Sequence, residues 1–111
     1  MVGNDSWIAV YITASARNGT LYTGVTSTLW RRVRRHKLGV FDGFSKMYGC
    51  KALVWYEAHP TMLEAIRREK QIKRWRRNWK LELIEAENPE WRDLSEGWFD
   101  APEGPLSWMQ R

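Results

Sequence analysis

Cysteine is nearly absent from this chain: Cys50 stands alone among 111 residues. A single thiol excludes an internal disulfide framework and any zinc site built on a cysteine cluster, and it fits a reducing compartment. Long apolar runs are missing as well. None approaches the roughly 20 residues needed to cross a bilayer, so no membrane partner is expected. The stretch Met1 to Ser6 has neither the basic start nor the apolar centre of a secretory signal, which places the expected location in the cytoplasm. No Ser-His-Asp pattern, glycine-rich phosphate loop or carboxylate pair suggests chemistry of those kinds.

Acidic residues are scarce in one region. From Thr28 to Lys80 there are 15 Lys and Arg against four acids, a local charge of +11. The segment after Lys80 reverses the balance, with eight acids and two bases. So lopsided a middle favours a polyanionic partner, with nucleic acid first, over an ordinary solvated surface. A chain of this length makes one domain. The expected boundary falls at Leu94, giving a domain over 1–94 and an acidic Gly/Pro-containing tail over 95–111. Trp98, Phe99 and Trp108 of that tail are able to dock back on the domain.

The apolar, aromatic and β-branched runs at Trp7–Ile12 and Leu21–Thr26 read as strands. Asn18-Gly19 between them is a hairpin signal, because both residues tolerate positive φ. Thr26 or Ser27 is placed to cap a helix over about 28–37, ended near Gly39. Gly39 to Gly49 reads as a loop, and Lys51–Glu57 as a third strand. Thr61 and Glu64 form a capping-box pattern opening a long helix to about Asn78. A shorter helix over 79–86 stops at Asn88-Pro89. The order β-β-α-β-α-α predicts an α/β (α+β) fold in which a small, mostly antiparallel three-stranded sheet is flanked by helices.

The hairpin folds Tyr11 and Tyr22 toward each other. On the first helix Leu29 and Val33 face inward, and Arg32 and His36, four apart, share the neighbouring edge. On the long helix Met62, Ala65, Ile66, Ile72 and Trp75 form an apolar stripe with Glu69 set in it. A carboxylate facing a domain body must be paired, hydrogen-bonded or metal-bound. Two readings stand: an ion pair to an Arg or Lys at the core edge, or a ligand for a divalent cation such as Mg²⁺, which keeps most of its waters. Together the two tyrosines, Arg32, His36 and Glu69 hold the parts that phosphodiester hydrolysis needs: a proton acceptor, cationic charge stabilisation and a metal ligand.

The order and spacing of these residues resemble the GIY-YIG nuclease domain, in particular its small stand-alone bacterial branch. Ala9-Val10-Tyr11 and Tyr22-Thr23-Gly24 match the two motif elements, with Ala9 and Val10 where the family name has Gly and Ile. Arg32-Val33 and His36 resemble the helix carrying the catalytic arginine, Glu64 to Lys73 the helix carrying the metal-binding glutamate, and Asn88 to Leu94 the ending of the stand-alone branch. The resemblance implies a metal-dependent endonuclease that hydrolyses DNA by a one-metal mechanism, with a role in DNA repair or processing and no small-molecule cofactor. It assigns catalysis to Tyr11, Tyr22, Arg32, His36 and Glu69, and Mg²⁺ or Mn²⁺ to Glu69. Arg31, Arg35, Lys46, Lys73 and Lys80 are the expected DNA contacts. Two departures are Val25, where some relatives have lysine, and Trp79-Lys80, where many have asparagine. The competing class is a non-catalytic nucleic-acid-binding module that retains the fold.

Overall fold

A computed structural model of the chain describes residues 7–39 and 48–100. The elements run β1 (Ala9–Ala14), β2 (Leu21–Thr26), α1 (Leu29–Leu38), β3 (Ala52–Ala58), α2 (Met62–Lys73) and α3 (Arg77–Glu87). The sheet is antiparallel throughout, with spatial order β2-β1-β3. This is the α+β arrangement and the β-β-α-β-α-α order that the sequence predicts.

β1 is central, and all six of its residues are buried. Its alternation splits the core in two. Val10, Ile12 and Ala14 face α2 and α3, where they meet Ala65, Ile72 and Ile84. Ala9 and Tyr11 face α1, where they meet Leu29, Val33 and Leu53. A register shift against β1 between Ile12 and Thr13 sets Val54 as the extra residue of β3. That bulge lets Val54 and Trp55 both join the α2/α3 side, while Leu53 and Tyr56 stay on the face of Tyr11.

The hairpin link is six residues long. Ser15 N–H donates to Thr20 O, and Gly19 N–H to Ala16 O. Only Asn18 of the Asn-Gly pair has positive φ, at 57°. Gly19 is needed for space instead, since a Cβ there would lie 2.4 Å from Ser15 Oγ.

Two boundaries differ from the sequence reading. α1 has Thr28 at its N-cap with no side-chain cap; Thr26 Oγ1 instead accepts the Thr28 N–H at 3.0 Å, ordering the turn ahead of the helix. The long helix expected to reach Asn78 ends at Lys73, and α3 begins at Arg77, with Arg76 in an extended conformation (ψ 160°). No glycine or proline marks this break. It is tertiary in origin: Trp75 turns onto the core, where Ile72 and Ile84 are fully buried. The predicted caps elsewhere are present: Gly39 closes α1 in the left-handed conformation, and Thr61 Oγ1 accepts Glu64 N–H at 3.2 Å. Among the described residues no helix is long and apolar enough to cross a membrane.

Candidate active site

Tyr11 sits at the centre of the sheet face that α1 covers, and its side chain is fully buried. Its cross-strand partner on β2 is Gly24. A Cβ at position 24 would stand 2.5 Å from Tyr11 Oη and 2.6 Å from Cζ, so the missing side chain is the slot in which the ring lies. The β2 register puts Tyr22 opposite Thr13 on the same face, diagonal to Tyr11, with the two rings 6.3 Å apart.

α1 completes the cluster. Leu29, Val33 and His36 are its buried residues. His36 Nε2 lies 2.9 Å from Tyr11 Oη in a buried hydrogen bond. The His36 ring also lies 5.1 Å from that of Tyr22. Arg32, one turn earlier, and the Tyr22 hydroxyl both reach the Tyr11 hydroxyl as well. Arg32 also points its Nη1 at Val25 O of the outer strand β2, at 3.5 Å. Four of the five side chains singled out in the sequence are therefore gathered around one phenol oxygen.

The electrostatics of this group follow from its burial. Tyr11 is held protonated, its pKa raised far above the ordinary phenol value, first by desolvation and then by Tyr22; Arg32 opposes the shift without cancelling it. His36 is pushed down to about 4, by burial first and the Arg32 guanidinium second. It is a neutral imidazole at pH 7. Proton accounting is tight here. A phenol has one donor and two acceptor sites, and a guanidinium only donates. Arg32 therefore donates to Tyr11 Oη, and the Tyr11 hydroxyl has one proton to give, to His36 Nε2 or to the Tyr22 oxygen.

Glu69 is placed differently. α2 packs over β2, the edge strand of the sheet, and β1. Its inward stripe is as expected, with Ala65 and Ile72 buried, and only 13% of the Glu69 side chain is exposed. Glu69 makes no hydrogen bond or ion pair to Tyr11, Tyr22, Arg32 or His36. Its Oε2 lies 2.6 Å from Nζ of Lys73, one turn on. The ion pair that formed one of the two sequence readings is thus present, to a half-exposed lysine. A divalent cation is compatible with this carboxylate. Among the described residues no three His, Cys, Asp or Glu side chains cluster.

The expected DNA contacts fall into two groups. Arg31 and Arg35 are exposed on α1. Lys73 and Lys80 belong to a cationic group with Arg77, and the Lys80 ammonium is held below its usual pKa by burial and by these two neighbours. Lys80 and Arg77 line a cavity of about 240 Å³ with Thr20 and Leu21. Arg77 also ties α3 to the hairpin, donating to Asn18 O at 2.8 Å and Gly19 O at 2.6 Å. Lys46 and Trp108 lie outside the described residues. The residue whose importance sequence reasoning undervalued is Gly24. Its signals were a glycine inside a strand and its place in the second motif element, Tyr22-Thr23-Gly24, and the reason for it appears only with the Tyr11 ring in place.

Residues 8–82 match the GIY-YIG catalytic domain. A UPF0213 protein of Staphylococcus aureus (strain Mu3) is 37% identical over 75 residues, covering 68% of this chain and 90% of that protein. One from Staphylococcus saprophyticus is 35% identical over the same length and coverage. The solution NMR structure of a UPF0213 protein from Bacillus halodurans superposes with a TM-score of 0.51 at 28% identity, covering 81% of this chain and 95% of that one. The chain, with Tyr11 and Tyr22 on paired strands and Arg32 and His36 on the following helix, therefore belongs to the GIY-YIG catalytic domain family.

Proposed function

We propose that this protein is a metal-dependent endonuclease that hydrolyses phosphodiester bonds in DNA. The observation that carries the reading is the convergence of Tyr22, Arg32 and His36 on the buried Tyr11 hydroxyl, in a chain whose residues 8–82 match this nuclease family.

In this reading Arg32 binds the scissile phosphate and stabilises the charge that builds on it. Tyr22 is the less buried of the two phenols, and it receives the proton of the attacking water. Tyr22 passes its own proton to Tyr11, and Tyr11 passes one to His36 Nε2. Burial is the larger cause of the low His36 pKa and the Arg32 charge the smaller; phosphate seated on Arg32 offsets the second, which makes the imidazole a better acceptor than in the free protein. Tyr11, held by the Gly24 slot, fixes the line of the relay. Glu69 would hold Mg²⁺ or Mn²⁺, with Lys73, half exposed, released from its ion pair. When bound, the ion supplies Lewis-acid charge to the phosphate. Arg31 and Arg35 on one side, and Lys73 and Lys80 on the other, grip the flanking backbone.

The test is incubation of plasmid and branched DNA with the protein and Mg²⁺ or Mn²⁺, beside Glu69→Ala. Metal-dependent cleavage that the variant loses supports the enzyme. Salt-sensitive binding by both proteins with no cleavage by either replaces it with a nucleic-acid-binding module.

A further inference from the structure

The helix that carries Arg32 and His36 is held at both ends by one segment that follows the family-matched region. Asp93 is its first anchor. Asp93 Oδ1 accepts the Leu53 N–H at 3.2 Å, the Ser95 N–H at 3.0 Å and the Ser95 O–H at 2.6 Å. Its Oδ2 is paired with the Lys37 ammonium in the last turn of α1. Leu94 N–H donates to Leu53 O at 2.7 Å, so the segment also pairs with the outer edge of β3. Burial alone would raise the Asp93 carboxyl, but the bonds from Lys37 and Ser95 bring it below the usual aspartate value.

The second anchor is aromatic. Trp98 O accepts the Trp30 Nε1–H at 3.3 Å in the first turn of α1. The Phe99 ring lies 5.0 Å from that of Trp30, and Trp98 stands edge-on to Tyr56 at 6.1 Å. Trp98 and Phe99 both pack against the core cluster that contains Tyr11, Leu29 and Val33. Trp30 and Lys37 are seven residues apart, two helical turns on one stripe. Arg32 and His36 lie between them. α1 has no side-chain cap at its start; the 93–99 segment adds to the contacts of its buried face, Leu29 and Val33 in the core and His36 on Tyr11, a hold on its first and last turns.

We propose that residues 93–99 are a positioning brace for the catalytic helix, setting Arg32 and His36 against Tyr11 although the segment lies outside residues 8–82. Trp98 and Phe99 touch no reacting atom in this assignment. They act through α1. A relay that depends on one 2.9 Å contact loses rate when the helix drifts, while ground-state affinity for a polyanion, spread over many cations, changes little.

The experiment uses the full chain and two measurements. Amide hydrogen exchange is compared between wild type and Trp98→Ala/Phe99→Ala, and cleavage kinetics are taken on the same proteins. Exchange over 29–38 is expected to quicken at least about ten-fold with β1 and β2 unchanged, and kcat to fall about ten-fold with KM within about two-fold. Trp98→Phe is expected to recover most of both. Equal exchange over α1 in wild type and the double variant overturns the brace. So does a loss carried by KM with kcat intact. If the double variant does not unfold cooperatively, Lys37→Ala and Trp30→Phe, each removing one anchor, decide by the same readouts. The kinetic arm rests on the nuclease reading. A wild-type protein that cleaves nothing refutes that reading, and the exchange arm still decides the brace.

Discussion

The Tyr11 ring occupies the space in which a side chain at position 24 would stand: the phenol oxygen is 2.5 Å from an ideal Cβ built on Gly24. Gly24→Ala must therefore displace either the ring or strand β2. Overpacking of this kind costs about 1–3 kcal/mol. We expect a fall in chemical-denaturation midpoint of that size, together with loss of cleavage well beyond it, since the displaced hydroxyl is the one that meets His36.

His36 gives the fold a pH dependence. Its native pKa of about 4 lies below the usual histidine value of about 6.5, so between these values the unfolded chain binds the proton and the native chain does not. Stability from this residue is complete above about pH 6.5 and is lost as pH falls toward 4, by at most about 3 kcal/mol. Denaturation at pH 7.5, 5.5 and 4.5 measures the slope. In His36→Gln the slope over that interval should be smaller by about one proton. An unchanged slope refutes the buried neutral imidazole.

The two tyrosines should separate under removal of their hydroxyls. Tyr11→Phe strips a buried hydrogen bond and leaves His36 Nε2 without it, at a cost of about 1–3 kcal/mol in stability. Tyr22→Phe, at a less buried position, should cost under about 1 kcal/mol. Both should lower kcat by about 100-fold or more. A Tyr22→Phe protein with near-normal turnover would remove Tyr22 from the proton relay.

Glu69 is tested by the ion as well as by rate. Titration of Mn²⁺ followed by its electron paramagnetic resonance signal should show binding to the wild type in the presence of a DNA duplex and weaker binding to Glu69→Gln. Chelation should abolish cleavage. Equal Mn²⁺ affinity in the two proteins would leave Glu69 as no more than the partner of Lys73.

Backbone grip predicts a salt signature. Arg31→Ala and Lys80→Ala should each reduce the slope of log K against log salt by about one, without altering sequence preference. A binding assay over a series of salt concentrations reads this directly.

Much of the fold was legible along the chain. Strand-length apolar runs, the turn at Asn18-Gly19, Gly39 after the first helix and Thr61 with Glu64 each carry a local signal, and each appears in the structure. That two helices follow β3 was legible, but the place of the break between α2 and α3 was not. Arg74, Trp75 and Arg76 are ordinary helical residues, and what ends the helix is the packing of Trp75 on the core. The β3 bulge was hidden for a similar reason: Val54 and Trp55 share one face because the core on that side takes both.

The sequence by itself determined the order of elements, the basic middle and the spacing that marks the family. These are local or additive properties, carried by periodicity and composition. It also named Tyr11, Tyr22, Arg32 and His36. Only the tertiary structure decided that these four meet at one oxygen, that Gly24 exists to admit the Tyr11 ring, that Glu69 is paired with Lys73, and that Asp93, Trp98 and Phe99 reach back to α1. All but the Glu69 pair are contacts between distant parts of the chain. They depend on which face each strand turns to which helix, and no neighbouring residue records that.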